Sequence, residues 1–194
     1  MSASKTKILT AASELFAEDG ASGLSVRAIS ARAGLSTIGI YNHFQGKQGI
    51  LDALYIEGFE LLMDAIAIDE ADFTPRDGVL QGLSNYIDFA SARRGHYELM
   101  FGRGDPSYLP SSGAISVGAE AFNRLTKLVS RALPESLTSL EKREAALQLW
   151  ALSHGYVSLQ DNAATDLIPN AAWRDLMMNA VAQLLDAIIE KHAN

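Results

Sequence analysis

The chain has 194 residues, 48% hydrophobic and 20% charged, with only 5 Pro and 15 Gly. That is enough apolar material for a sizeable core, and it excludes a disordered or low-complexity polymer. The absence of Cys excludes a disulfide framework, thiolate metal ligation and a cysteine nucleophile. No apolar run approaches the ~18 residues of a membrane span, and Met1–Ser4 leads into a polar stretch without a signal-peptide core, so a soluble cytoplasmic protein is expected.

The net charge of −7 is unevenly spread. Residues 1–50 carry five basic side chains (Lys5, Lys7, Arg27, Arg32, Lys47) against three acidic ones (Glu14, Glu18, Asp19), a net of +2, and the other 144 residues carry eleven against twenty, a net of −9. A mildly basic start on an acidic remainder is the asymmetry expected when one end meets a polyanion.

In chain order the pattern is helical. Ile8, Ala12, Leu15 and Phe16 recur at i, i+4, i+7 and i+8, on a helix that Asp19-Gly20 ends. Ser25 fits an N-cap for a helix over Val26–Ala33, with Val26, Ile29 and Ala33 on its inner face. Gly34 fits a left-handed C-cap, and Leu35-Ser36 restarts the chain into a short helix to about Phe44. After Gly46, the apolar positions Ile50, Leu51, Leu54, Gly58, Leu61, Leu62 and Ala65 mark a long helix from Lys47 to about Ile68. Pro75 suits the first turn of a helix to about Arg94, Pro106 and Pro110 bracket a loop, and Pro134 and Pro169 separate the later segments Ala114–Leu133, Ser139–Ala163 and Ala171–Lys191. No stretch alternates with period two, so an all-α fold of about nine helices without internal repeats is predicted.

Two short helices joined by Gly34-Leu35-Ser36 have the proportions of a helix–turn–helix, although ordinary helical hairpins are also common. The second helix discriminates between them. At 100° per residue, Ile40 and Phe44 lie about 40° apart and define its buried side, with Ile38 and Asn42 roughly 160° from Ile40 and Gly39 and Tyr41 flanking them. Thr37, Tyr41, Asn42 and His43 supply hydroxyl, amide and imidazole groups that can reach phosphates and base edges, and Asn suits a bidentate contact to adenine.

The stretch KILTAASELFAEDGASGLSVRAISARAGLSTIGIYNHFQGKQGILDAL resembles the N-terminal domain of TetR/AcrR-type regulators. The likeness runs from Lys5 to about Leu54, and rests on the apolar first helix ending in LFAEDG, then SVRAISARAGLS, then IYNHF and a Gly-Lys start to the fourth helix. It implies that Ser25 and Arg27 touch the DNA backbone, that Thr37, Ile38, Gly39, Tyr41, Asn42 and His43 line the groove, and that Lys47 holds a phosphate at a helix N-terminus. The pattern departs from the family at Ile38, where a small residue is usual, and at Gly39, where Thr or Ala is usual. A mid-helix Gly costs up to about 1 kcal/mol of helix propensity, and Ile38 can pack on a thymine methyl.

The resemblance divides the chain into a DNA-binding domain, residues 1–50, and an effector-binding and dimerisation domain, residues 51–194. LQLWALSHGYVSLQ, with Trp150, His154 and Gly155, resembles the Trp-His-Gly pattern of one TetR C-terminal subgroup, and RRGHYELMFG at Arg93–Gly102 resembles the segment before its pocket helices. Trp150, His154 and Val157 share a helical stripe, which reads either as core or as a pocket wall with Tyr86, Phe89, His96, Met100 and Phe101. That content points to an apolar or aromatic effector. The last helix is apolar over more than half its circumference, through Trp173, Leu176, Met177, Ala180, Val181, Leu184, Leu185 and Ile188. A second copy of the last two helices, forming a four-helix homodimer interface, is the expected cover.

The expected function is a repressor of double-stranded operator DNA, released by a small molecule. The competing class is an enzyme or carrier on the same helical scaffold. No H-x-x-x-H or H-E-x-x-H pair, nucleophile motif or Gly-rich phosphate loop supports it, and no cofactor, metal or catalytic residue is assigned.

Overall fold

A computed structural model of the chain describes residues 2–101, 107–160 and 169–192. Among these the regular structure is entirely α-helical: α1 (Ala3–Gly23), α2 (Val26–Ala33), α3 (Thr37–Phe44), α4 (Lys47–Ala65), α5 (Pro75–Ala92), α6 (Arg94–Met100), α7 (Ser112–Ser130), α8 (Ser139–Leu159) and α9 (Asn170–Lys191). Gly102, Pro106 and the segment 161–163, all used in the sequence reading, lie outside the described residues.

The starts of the helices follow local chemistry. Ser25, Ser36 and Thr138 each accept a backbone N–H from the first turn of α2, α3 and α8, and Glu141 returns the bond to Thr138 in a full capping box. Pro75 opens α5, where its missing N–H leaves no bond unmade. The predicted stop at Asp19-Gly20 is a kink: Gly20 takes φ 63° and helix resumes through Gly23. One element was absent from the periodicity. Arg93 leaves helical geometry at φ −123°, ψ 44°, and α6 begins as a separate short helix. Gly95 then comes so close to Phe16 that a Cβ would lie 3.0 Å from its ring, which fixes α6 against α1.

Two compact units partition the fold: Met1–Leu62 with Ser91–Ala121, and Met63–Ala90 with Phe122–Asn194. Their boundaries fall inside α4, α5 and α7. In the first unit α1 packs on α2 and α6, and α2 on α3, around Ile8, Phe16, Ile29, Ile40, Ile50 and Leu54. Each such side chain contributes about 1.5–3 kcal/mol by leaving water. On its surface Arg32 joins α2 to α1 through Glu18 at 2.8 Å and Glu14 at 3.4 Å.

In the second unit α8 packs on α9, and Trp173, Met177, Val181 and Leu185 repeat every fourth residue as one buried stripe of α9. Leu176 on another stripe is exposed, as are Leu140, Leu147 and Leu159 of α8. Arg76 forks onto Asp186 through Nε and Nη2 at 2.6 and 2.7 Å, tying the start of α5 to α9.

Candidate nucleic-acid interface and effector site

The α2–α3 turn is closed from both directions. Leu35 N–H donates to the Ser30 carbonyl at 3.1 Å, and the nearly buried Ser30 hydroxyl donates back to the Leu35 carbonyl. Gly34 at φ 64° makes the reversal without Cβ strain. Ile40 and Phe44 anchor α3 in the core at 0% and 5% exposure. The opposite side of α3 faces water: Thr37, Ile38, Tyr41, Asn42 and His43 are all exposed, and Gly39 lies at the edge. Ile38 at 69% and Tyr41 at 56% are large apolar side chains on the same polar face. An apolar group held out among hydroxyl, amide and imidazole groups is suited to meeting a partner with both methyl and polar edges.

Ser25 and Arg27 are exposed at the start of α2. Ser25 Oγ accepts the Ala28 N–H at 3.0 Å, so its own hydroxyl proton can still be donated outward. Lys47 opens α4 and is half-buried. A Cβ on Gly39 would meet only Ser36 Oγ at 3.8 Å, so packing does not demand glycine there.

Gln45, Gly49 and Ser30 hold this geometry although no sequence pattern singled them out, and Gly46 does more than break the helix. Gln45 takes φ 58° and Gly46 φ 103°, a left-handed pair that turns α3 into α4, and the Tyr41 ring lies 3.1 Å from where a Gly46 Cβ would stand. At Gly49 a Cβ would fall 1.8 Å from the Phe44 carbonyl oxygen, so the first turn of α4 seats on the end of α3 only with glycine. Ser30 is the third. Its position four residues after Val26, on the inner face, was the available signal.

The seven effector candidates divide between the two units. Tyr86, Phe89, Trp150 and His154 belong to the second, and His96, Met100 and Phe101 to the first. Tyr86, Trp150 and His154 come together in a hydrogen-bonded chain. Trp150 Nε1 donates to Tyr86 Oη at 3.3 Å, and the same Oη is hydrogen-bonded to His154 Nδ1, also at 3.3 Å. His154 Nε2 is in turn hydrogen-bonded to Ser158 Oγ, again at 3.3 Å, with the direction of each bond set by the ring tautomer. All three bonds lie beyond the usual range, so the polar atoms are paired but loosely held. Tyr86 is buried, whereas Trp150, His154 and Ser158 are half-buried. Phe122 backs the Trp150 ring at 5.9 Å and carries the Arg143 guanidinium over its own face at 5.2 Å. Phe89 is buried one turn beyond Tyr86 on α5.

In the first unit His96 is buried, with its ring edge-on to Phe16 at 5.9 Å. Its Nε2 donates to Glu57 Oε2 at 3.0 Å, and Ser13 Oγ donates to the same oxygen at 2.7 Å. Burial alone raises the Glu57 pKa, but the bonds from His96 and Ser13, with the charges of His96 and Arg93, hold it below the ordinary glutamate value. Met100 lies against Gly58, where a Cβ would come within 2.7 Å of its sulfur. The Phe101 ring is 4.8 Å from Tyr97 and 6.0 Å from Phe59.

No group of three or more His, Asp or Glu that could hold a metal occurs among the described residues, and no helix among them is long and apolar enough to cross a membrane.

A capped helix pair whose second helix offers an exposed polar face defines a DNA-binding regulator of the helix–turn–helix class. Residues 8–54 match the profile of bacterial regulatory proteins of the tetR family, and residues 79–184 match that of the tetracyclin repressor-like C-terminal domain. The chain belongs to the TetR family. It is similar to the uncharacterized HTH-type transcriptional regulator YobS of Bacillus subtilis (strain 168), 33% identical over 92 residues, 47% of this chain and 48% of that protein. The chain thus spans about half the length of this curated relative. Among solved structures it resembles a protein with unknown function from Rhodococcus sp. RHA1, with TM-score 0.80 and 24% identity over 97% of both chains. It also resembles a TetR variant from Acinetobacter baumannii AYE in complex with minocycline, with TM-score 0.68 and 16% identity over 96% of this chain and 97% of that one. At these identities the structural likenesses establish the fold.

Proposed function

We propose that this chain is a cytoplasmic, homodimeric transcriptional repressor that holds operator DNA and lets it go when a small molecule binds, and that it is not an enzyme. The observation that carries this reading is the exposed face of α3, with Ile38, Tyr41 and Asn42 turned away from the Ile40–Phe44 anchor. Residues 1–50 bind DNA in this reading. Thr37, Ile38, Gly39, Tyr41, Asn42 and His43 enter the major groove, Ser25 and Arg27 meet the backbone, and Lys47 adds a phosphate contact at the N-terminus of α4. Gly39, which packing does not require, brings the α3 backbone closer to the bases.

Residues 51–194 bind the effector and form the dimer. Leu140, Leu147 and Leu159 on α8 and Leu176 on α9 are exposed apolar side chains that a second copy would cover. The Trp150–His154–Gly155 pattern supports reading this domain as the Trp-His-Gly type. In this reading the hydrogen-bonded Tyr86, Trp150 and His154, beside the apolar Phe89, are the effector residues of the second unit, and His96, Met100 and Phe101 are the candidates of the first. A largely apolar or aromatic effector fits, and a relative that binds minocycline supports a small-molecule ligand. Such a ligand lowers operator affinity only if it prefers the conformation that does not fit the operator.

Gel-shift and footprinting on DNA flanking its own gene test the proposal. The expected footprint is an inverted repeat with half-sites about 34–36 Å apart or somewhat more, as two-fold symmetry demands. A monomer on one asymmetric half-site, or no specific shift, overturns it and leaves the carrier or enzyme reading standing.

A further inference from the structure

The second unit carries eight Lys and Arg against fourteen Asp and Glu. Three of those eight cations, Arg124, Lys127 and Arg131, line one cleft of about 330 Å³ between the end of α4, the segment after it and α7. Arg124 and Lys127 stand on α7 and Arg131 directly follows its end, and Leu128 between them joins Met63 and Ile66 as an apolar floor. The lone carboxylate in the lining is Glu70, which occupies Arg131 at 3.3 Å across an exposed bridge. The floor is drawn inward by a glycine: a Cβ on Gly82 of α5 would stand 2.5 Å from Leu128 Cδ2. The carbonyls that end α4 favour a cation nearby, but they do not account for an apolar hollow beneath three of them.

We infer that this cleft binds a small amphipathic anion, with an apolar chain on Met63, Ile66 and Leu128 and a carboxylate facing Arg124, Lys127 and Arg131. The site shares no residue with the Tyr86–Trp150–His154 cluster and does not depend on that cluster being an effector site. Its volume lies at the lower end of small-ligand pockets. Charge selects the head group, because three cations converge at this cleft in a unit whose net charge is negative. Glu70 is the internal competitor, displaced from Arg131 when a carboxylate arrives.

The test is calorimetric titration of the full chain with decanoate below its micelle concentration, with decyltrimethylammonium as the charge control. Decanoate should bind at least about tenfold more tightly than the cation. Lys127→Glu, at an exposed position, should weaken it severalfold while leaving the thermal melt nearly intact. Glu70→Gln should tighten it severalfold by freeing Arg131, and Leu128→Trp should block it by filling the floor. His154→Ala should leave decanoate affinity unchanged. Equal affinity for the cation, indifference to the charge reversal, no decanoate binding, or loss of binding in His154→Ala overturns the inference.

Discussion

The exposed face of α3 and the Tyr86–Trp150–His154 chain use their polar groups in opposite ways. On α3 the caps and the Ile40–Phe44 anchor secure the backbone, and Thr37, Asn42 and His43 stand in water. Within the second unit each polar atom of the chain meets the next one, in buried to half-buried surroundings, from Trp150 through Tyr86 and His154 to Ser158. A surface of the first kind binds by adding contacts to a partner and contributes little to folding. A cluster of the second kind binds by exchanging its internal hydrogen bonds for a ligand's, so it contributes to folding and binding together.

The largest effect is expected where the α3 surface depends on its scaffold. Gly49→Ala puts a Cβ 1.8 Å from the Phe44 carbonyl oxygen, and backbone must move. The expected cost is about 2–4 kcal/mol, a fall of roughly 5–15 °C in melting temperature, with operator binding lost through displaced α3 geometry. An unchanged melt would show that α4 does not set the pose of α3. The surface itself should behave otherwise. Asn42→Ala should relax base preference by ~1–3 kcal/mol with the salt slope and melting temperature nearly unchanged. Lys47→Ala should lower affinity for all sequences and flatten log K against log[salt] by about one unit per protomer. Indistinguishable mutants would erase the division between groove and phosphate contacts.

The α3 surface was legible in the sequence because its determinants are local. Ser25, Gly34, Ser36, Ile40 and Phe44 lie within twenty residues, and caps, left-handed glycine and helical period each act within a turn or two. What escaped lay where the backbone itself is the neighbour. The Gly49–Phe44 approach and the left-handed Gln45 depend on how α4 seats on α3, and no side-chain pattern encodes that. The start of α6 escaped for the same reason, since Gly95 is fixed by Phe16, almost eighty residues earlier. In the second unit the periodicity placed Trp150 and His154 on one stripe, but their partner Tyr86 is more than sixty residues away and on another helix. Nor could it separate the two faces of α9, where Met177 is buried at 1% and Leu176 is exposed at 40%.

The internally paired cluster provides the next test. His154→Ala removes one hydrogen-bond partner of the buried Tyr86 and one of the half-buried Ser158. The expected loss of stability is about 1 kcal/mol, roughly 2–4 °C, with operator affinity kept and most of the response to an effector gone. The measurement is operator binding with and without compounds from an aromatic panel that release the wild type, beside a melt of each protein. A fall of many degrees with induction intact in the folded fraction would make His154 a core residue.

The smallest effect concerns a paired cluster in the first unit, and it asks how much of that pairing is a matter of charge. Glu57 accepts from both His96 and Ser13, and its folded pKa is held below the ordinary glutamate value. The sign follows from linkage. The ionised group binds fewer protons in the folded state, so its contribution is fully present above the unfolded value of about 4.3 and is lost as pH falls through the lower folded one. Glu57→Gln keeps the shape but removes the titration, so the wild-type advantage should be about 1 kcal/mol, or roughly 2–4 °C, at neutral pH and should shrink towards pH 3. Melting curves of both proteins between pH 3 and 7 measure the gap. A gap that stays constant across that range would mean the His96–Glu57–Ser13 contact holds without charge, and pairing in this unit would then be a matter of shape.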